Sequence, residues 1–439
     1  MTAAGGGGGG EGDTGGGDGG DGAGGLSLRR WSDRAVIGLA LMALCAGFGQ
    51  FGATAALGDV AKSFGKMTGG SFVQQAGLSG TELGVGLAVL RLASIGALPL
   101  AGLGDRLGRR PVLVASCAVG LVFTMAAAAS PGYWWFVAIF ALGRPLLSTT
   151  NAVAQVGAAE ETASADRARA VALVAAGYGV GAGLVAVIHG LGRSVLGFRG
   201  VFLLAVLPLG GVVFIRRWLV EPDRFTRRRA EGERPVLGGI GPRYRRRLMV
   251  VVGLVFAVSV ITGPANSFFF VYAQNVLHLS GAVTAAMVTV AGVFGLGGLL
   301  AGRWLADHVG RRPTAALMMV AMAAMGVLTY SGSRTALYVG YELGVLAAAT
   351  LAPAAGAFVN ELFPTAVRAT VAGWNVVAGV CGAVVGLVVF GATAQVGHRF
   401  DGTRAGLLTF FPALVALVLF LGLPESRGRE PEDLWPSSS

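Results

Sequence analysis

The sequence predicts an all-α membrane protein of twelve transmembrane helices arranged as two pseudo-symmetric six-helix halves. Three observations carry that prediction. Of 439 residues, 54% are hydrophobic and 13% charged, against about 25% charged in an ordinary soluble domain. The apolar residues are gathered into twelve stretches separated by short charged or glycine-rich loops, so neither one long span nor a cleaved leader accounts for them. A ten-residue string also recurs about 200 residues after its first appearance.

In chain order, residues 1–30 are glycine-rich with scattered carboxylates, a composition that buries too little apolar surface to offset chain entropy, and are expected to form a disordered cytoplasmic tail. Residues 35–58 contain no charged residue, and at ~1.5 Å rise per residue they are long enough to cross a ~30 Å hydrocarbon core. The same criterion places spans at 84–103, 111–129, 133–156, 168–188 and 199–215, completing an N-terminal half over 31–217. A basic linker, 218–247, follows. The C-terminal half, 248–423, holds spans at 248–273, 283–302, 314–331, 335–359, 369–394 and 405–423, and a tail runs from 424 to 439. Cys45, Cys117 and Cys381 sit inside apolar runs, far apart and odd in number, and read as small core residues. The four histidines have no metal-ligand spacing, and no cofactor is expected.

The net charge of +11 is a topology signal. Alternate loops hold 25 Lys and Arg on one side and seven on the other, with Arg91 and Arg144 inside spans. Basic loops stay in the cytoplasm. Both termini are therefore expected there, in a multi-pass protein of the cell membrane whose 216–247 loop is positioned to touch anionic headgroups. Nucleic acid is not an expected partner.

The repeat is specific. Gly102 to Pro111 (GLGDRLGRRP) returns as Trp304 to Pro313 (WLADHVGRRP), an offset of 202. In the next loop of each half an acid precedes an arginine by seven residues, Glu160 before Arg167 and Glu361 before Arg368, an offset of 201. Two ordered matches at one offset imply duplicated halves, with a substrate site between them near mid-bilayer.

The two glycine-arginine loops resemble the Gly-x-Leu-Ala-Asp-Arg-x-Gly-Arg-Arg signature of the major facilitator superfamily, and the chain is identified as a member over roughly residues 30–434. Pro424 to Arg429 is similar to the segment after the last helix of sugar porters, and Glu361 to Arg368 to a loop of sugar porters and of organic-acid and metabolite proton symporters. The glutamine pair of sugar porters is absent around Ile261 to Pro264. Gln50 is the polar residue nearest the place where proton-coupled relatives carry an acid in the first helix. The Gly-Pro motif of drug/proton antiporters is not matched by Gly177 to Gly183.

The resemblance implies a gate made of Asp105, Arg106, Gly108, Arg109, Arg110, Glu160, Glu161 and Arg167, repeated as Asp307, Gly310, Arg311, Arg312, Glu361 and Arg368, with Glu425 in the sugar-porter-like segment. Asp105 and Asp307 are expected to cap neighbouring helices, a contact worth roughly 0.3–1 kcal/mol each. The carboxylates of the next loops are expected to pair with the arginines when the cytoplasmic side closes; the plainer alternative is a set of solvated loop charges that fix topology.

Arg91, Arg144 and Glu342 are the charges inside spans, each costing about 2.5–3.5 kcal/mol at a helix centre. Glu342 lies within one turn of Val345, the residue related to Arg144 by the repeat, so it is the candidate proton carrier, with Arg144 or Arg91 stabilising its ionised form; a static ion pair is the alternative. Gln50, Asn151, Tyr178, Asn266, Tyr272, Gln274, Tyr338, Tyr341 and Asn375 are candidates for the substrate cavity, or else interhelical hydrogen-bonding groups. The expectation is a monomeric secondary transporter moving a small organic solute (an organic acid, a sugar-like molecule or another metabolite) with protons, by alternating access. Uniport, efflux and a non-transporting sensor or scaffold remain the alternatives.

Overall fold

The computed structural model describes residues 29–30, 32–65, 77–163, 166–219, 242–363, 365–396 and 399–425. The expected N-terminal tail up to residue 28, linker residues 220–241 and tail residues 426–439 lie outside the described residues.

Twelve helices among the described residues are long and apolar enough to cross a membrane, one for each expected span. They are α1 (Arg34–Ala55), α2 (Gly80–Gly104), α3 (Arg109–Ala129), α4 (Tyr133–Glu161), α5 (Arg169–Gly192), α6 (Val195–Ile215), α7 (Tyr244–Val276), α8 (Gly281–His308), α9 (Arg311–Thr329), α10 (Arg334–Phe358), α11 (Thr370–Thr393) and α12 (Gly402–Gly422). With no water in the bilayer core, a helix satisfies its backbone groups internally, which is why apolar runs of this length fold this way. Large side chains such as Leu300, Val415 and Leu421 are more than 70% exposed, as a lipid-facing surface requires.

Local chemistry explains where the helices depart from the sequence reading. The first apolar run breaks at Ala56, and a short helix, Leu57–Phe64, continues it. α6 starts at Val195 rather than 199, with a kink in its first turn at Gly197, whose φ is 60°. The helix that becomes α7 begins at Pro242, so residues 242–247 of the expected linker are helical. That helix contains Pro264 and ends in a π-helical turn, Tyr272–Val276. Between α11 and α12 two short strands, β1 (Gln395–Val396) and β2 (Arg399–Phe400), pair antiparallel, a small addition to an otherwise helical protein.

The repeat is visible in the backbone. Gly108 (φ 109°) joins α2 to α3 and Gly310 (φ 123°) joins α8 to α9, left-handed conformations that glycine adopts without steric cost. We call the end of the bundle holding these turns the turn end.

The halves meet at the other end, the far end. There α2 packs on α11 and α5 on α8. Gly391 approaches the Gly80 carbonyl so closely that a Cβ would lie 2.3 Å from the oxygen, and at Gly190 a Cβ would lie 2.4 Å from the Gly281 carbonyl. Asn275 Nδ2 donates to the Gly58 carbonyl at 3.0 Å, and Phe51 meets Phe270 edge-on at 6.1 Å between centroids. One buried apolar cluster runs through this junction, from Phe136, Phe140 and Phe202 to Phe268, Phe390 and Phe410.

Candidate functional site

The interruptions in the helices converge on mid-membrane. α2 narrows to a 3₁₀ turn at Ser94–Gly96 and α4 contains Pro145, next to Arg144. Here α1, α2, α4, α7 and α11 enclose a polar chamber of about 350 Å³ that Gln50, Arg91, Ser94, Arg144, Ser148, Ser259, Thr262, Asn266 and Asn375 line.

Arg144 is 8% exposed, and a charge so placed needs partners. Its Nε donates to Ser94 Oγ at 3.0 Å and its Nη1 to the Gln50 carbonyl at 3.4 Å. Gln50 is fixed in turn: its Oε1 accepts from Tyr178 Oη at 2.6 Å, and its Nε2 donates to Ser148 Oγ and, at 3.5 Å, to the Arg144 carbonyl. These bonds use two of the five guanidinium N–H donors. Arg91 faces the same chamber, and no Asp or Glu among the described residues lines it. The chamber therefore carries two positive charges and no carboxylate from the described residues, an arrangement that favours an entering anion.

A second chamber of about 320 Å³ lies inside the C-terminal half, between α7, α9 and α10. Thr262 and Asn266 line both chambers. Tyr341 closes one side of the second, its ring stacked on Phe269 with centroids 3.8 Å apart.

Of the expected cavity residues, Gln50, Asn266 and Asn375 line the polar chamber, Tyr341 lines the second, and Tyr178 reaches the first through Gln50. Four others, Asn151, Tyr272, Gln274 and Tyr338, line neither of these chambers. Asn151 accepts from Gln155 one turn along its own helix at 3.3 Å. Tyr272 is buried at the far end, its Oη accepting from Gly332 N at 2.8 Å. Tyr338 is 37% exposed. Gln274 likewise bonds to Thr284 at 3.2 Å. The residues missed are mostly small hydroxyls: Ser94, Ser148, Ser259, Thr262 and Thr329. A buried pair at the far end was also missed, His189 Nε2 standing 2.9 Å from Asp59 Oδ2.

Glu342 makes no ion pair with Arg144 or Arg91. Its Oε2 is buried without a hydrogen-bond partner, while Arg144 is engaged with Ser94 and Gln50. The arginine partner expected for Glu342 is thus absent from this conformation.

At the turn end, Arg109 pairs with Glu160 at 2.9 Å, and the repeat-related Arg311 with Glu361 at 3.1 Å. Each pair lies within its own half, the first in the N-terminal and the second in the C-terminal one. Glu161 holds Arg29 at 2.8 Å, and Arg110 donates to the Arg216 carbonyl at 3.1 Å. The carboxylate that caps α9 is Glu425, which accepts from the backbone N–H groups of Arg311 and Arg312 at 3.0 Å each. Asp307, expected in that role, is instead half-exposed and 3.7 Å from Arg311 Nη2. Arg167 opens the helix that includes α5. The side chains of Asp105 and Arg368 lie outside the described residues.

Comparison with known proteins agrees with this architecture. The family model described as Major Facilitator Superfamily matches residues 39–308 and 293–437. A protein of Cupriavidus pinatubonensis named as a probable 4-methylmuconolactone transporter is 28% identical over 376 residues, 80% of this chain and 84% of that protein. The ectoine/proline transporter ProP of Corynebacterium glutamicum is 26% identical over 374 residues, 74% of this chain and 72% of that one. The inward-open xylose transporter XylE from E. coli superposes with a TM-score of 0.69 at 18% identity, covering 91% of this chain and 98% of that one. The two family-model matches span both halves and nearly the whole helical bundle, and the chain belongs to the Major Facilitator Superfamily, a multi-pass membrane protein that transports small solutes.

Proposed function

We propose that the protein is a monomeric importer of a small organic anion, moved together with protons by alternating access. One observation carries the choice of an anion: Arg91 and Arg144 face a mid-membrane chamber that no carboxylate among the described residues lines. A buried arginine beside a second, half-buried one is costly without a counter-charge, and a carboxylate solute supplies the compensation that the lining withholds. Arg144 is held by Ser94 and Gln50 in a fixed pose, so its free donors are aimed before the solute arrives.

With the arginine-rich turns in the cytoplasm, as their basic charge favours, both termini are cytoplasmic and the sealed far end is extracellular. The conformation described above is then the inward-facing one. The turns and the acids beside them, Arg109 with Glu160 and Arg311 with Glu361 and Glu425, form the gating set that brings each half to the opposite arrangement. Proton coupling falls to Glu342, a membrane-embedded carboxylate with an unbonded buried oxygen.

The test is uptake into liposomes holding the purified protein, across a panel of carboxylates and matched neutral compounds. Arg144→Gln removes the charge while retaining a polar side chain. Losing one member of a buried charge pair costs about 2–5 kcal/mol, or ~30-fold or more in affinity for the anion. Arg144→Lys is expected to recover part of it. A transported solute that is neutral, or anion uptake indifferent to Arg144→Gln, overturns the proposal.

A further inference from the structure

The second chamber has no part in the charge argument, yet it opens on the same two residues, Thr262 and Asn266. Its polar lining is largely turned away. Thr262 Oγ1 donates to the Val258 carbonyl at 3.1 Å, Asn266 Nδ2 to the Thr262 carbonyl at 2.9 Å, and Thr329 Oγ1 to the Met325 carbonyl at 2.8 Å. Both hydroxyl protons and one amide N–H are thus spent on their own helices. The rest of the lining is largely apolar: the Tyr341 ring, Met322, Val345 and the small residues Gly344 and Ala348.

Close helix contact does not dictate the small residue at 344. A Cβ there would stand 3.6 Å from Met325 Cβ, an ordinary van der Waals distance. At Gly340, one turn earlier, a Cβ would fall 2.5 Å from the Thr329 nitrogen. Position 340 thus needs glycine for the approach of α9, whereas position 344 has room for a side chain and leaves that room to the chamber.

We propose, on the basis of the anion reading above, that the solute is an amphipathic carboxylate whose charged end docks at Arg91 and Arg144 and whose apolar body fills the chamber beside Tyr341 and Gly344. Thr262 and Asn266 mark the waist between the two parts. A polyhydroxylated anion is disfavoured, because each hydroxyl carried into the second chamber leaves water for a mostly apolar lining in which the Thr262 and Thr329 hydroxyl protons are already given to backbone carbonyls.

Thermal stabilisation and liposome binding of the full-length protein test this with three probes: 4-isopropylbenzoate, gluconate and neutral 4-isopropylbenzamide. The wild type is expected to bind 4-isopropylbenzoate at least about tenfold more tightly than either of the others. Gly344→Leu, which extends a side chain into the chamber, is expected to weaken 4-isopropylbenzoate about tenfold or more and to leave gluconate within about twofold. Ala348→Leu repeats the test from one turn away, should the first variant fold poorly. Arg144→Gln weakens both carboxylates. Equal binding of the two carboxylates by the wild type, or equal losses in Gly344→Leu, refutes the two-part solute and leaves the anion reading intact. Benzamide binding as tightly as the benzoate, binding of neither carboxylate, or Arg144→Gln without effect on the carboxylates refutes the anion reading itself, and this inference with it.

Discussion

Gly391→Ala adds one carbon at the far-end seam, and its consequence is calculable. The new Cβ would stand 2.3 Å from the Gly80 carbonyl oxygen, where real Cβ atoms essentially never come within 3.0 Å. The obstacle is backbone on α2, so no side chain can swing aside, and α2 and α11 have to separate. Overpacking of this kind costs about 1–3 kcal/mol. The contact joins the halves, so the cost falls on the far-end-closed state alone and shifts the equilibrium toward the opposite state by about 5- to 150-fold. The assay is labelling of Val376→Cys, which lines the polar chamber, by a membrane-impermeant maleimide applied from outside to protein lacking Cys45, Cys117 and Cys381. Gly391→Ala is expected to raise the labelling rate at least about fivefold. Gly190→Ala, on the α5–α8 seam, should do the same. Gly179→Ala, where a Cβ meets nothing within 4 Å, should not. An unchanged or lower rate in a well-expressed Gly391→Ala protein refutes the assignment of this seam as the closing surface.

Two further outcomes are expected. Proton symport raises uptake as external pH falls; Glu342→Gln, a permanent mimic of the protonated acid, should flatten that dependence and abolish accumulation against a gradient, and an unaltered pH profile removes Glu342 from coupling. Glu425→Gln weakens two charge-assisted bonds at the start of α9 and is expected to destabilise the purified protein by about 0.5–2 kcal/mol, read as a lower melting temperature; an unchanged melting temperature shows that the cap contributes nothing.

The spans were legible because hydropathy over about twenty residues leaves no competing structure in a bilayer, and the kink at Gly197 and the helical turn from Pro242 that leads into α7 are local backbone features that hydropathy does not report. The polar chamber was half legible. Arg91, Arg144, Gln50, Asn266 and Asn375 stand out against apolar neighbours, whereas Ser94 and Thr262 are residue types that helices in membranes accept anywhere by bonding back to their own carbonyls. Asn151, Tyr272 and Tyr338 look equivalent to them in the sequence. What separates them is helix rotation, set by packing partners many residues away. The same limit hid the Asp59–His189 pair and gave the α9 cap to Asp307 instead of Glu425, which arrives from the other end of the half.

The ion pairs Arg109–Glu160 and Arg311–Glu361 brace each half internally and are not shared between halves. The far-end joint between the halves is instead built of close backbone approaches and phenylalanine packing, which makes the parting of that joint a property tuned by shape and temperature more than by salt.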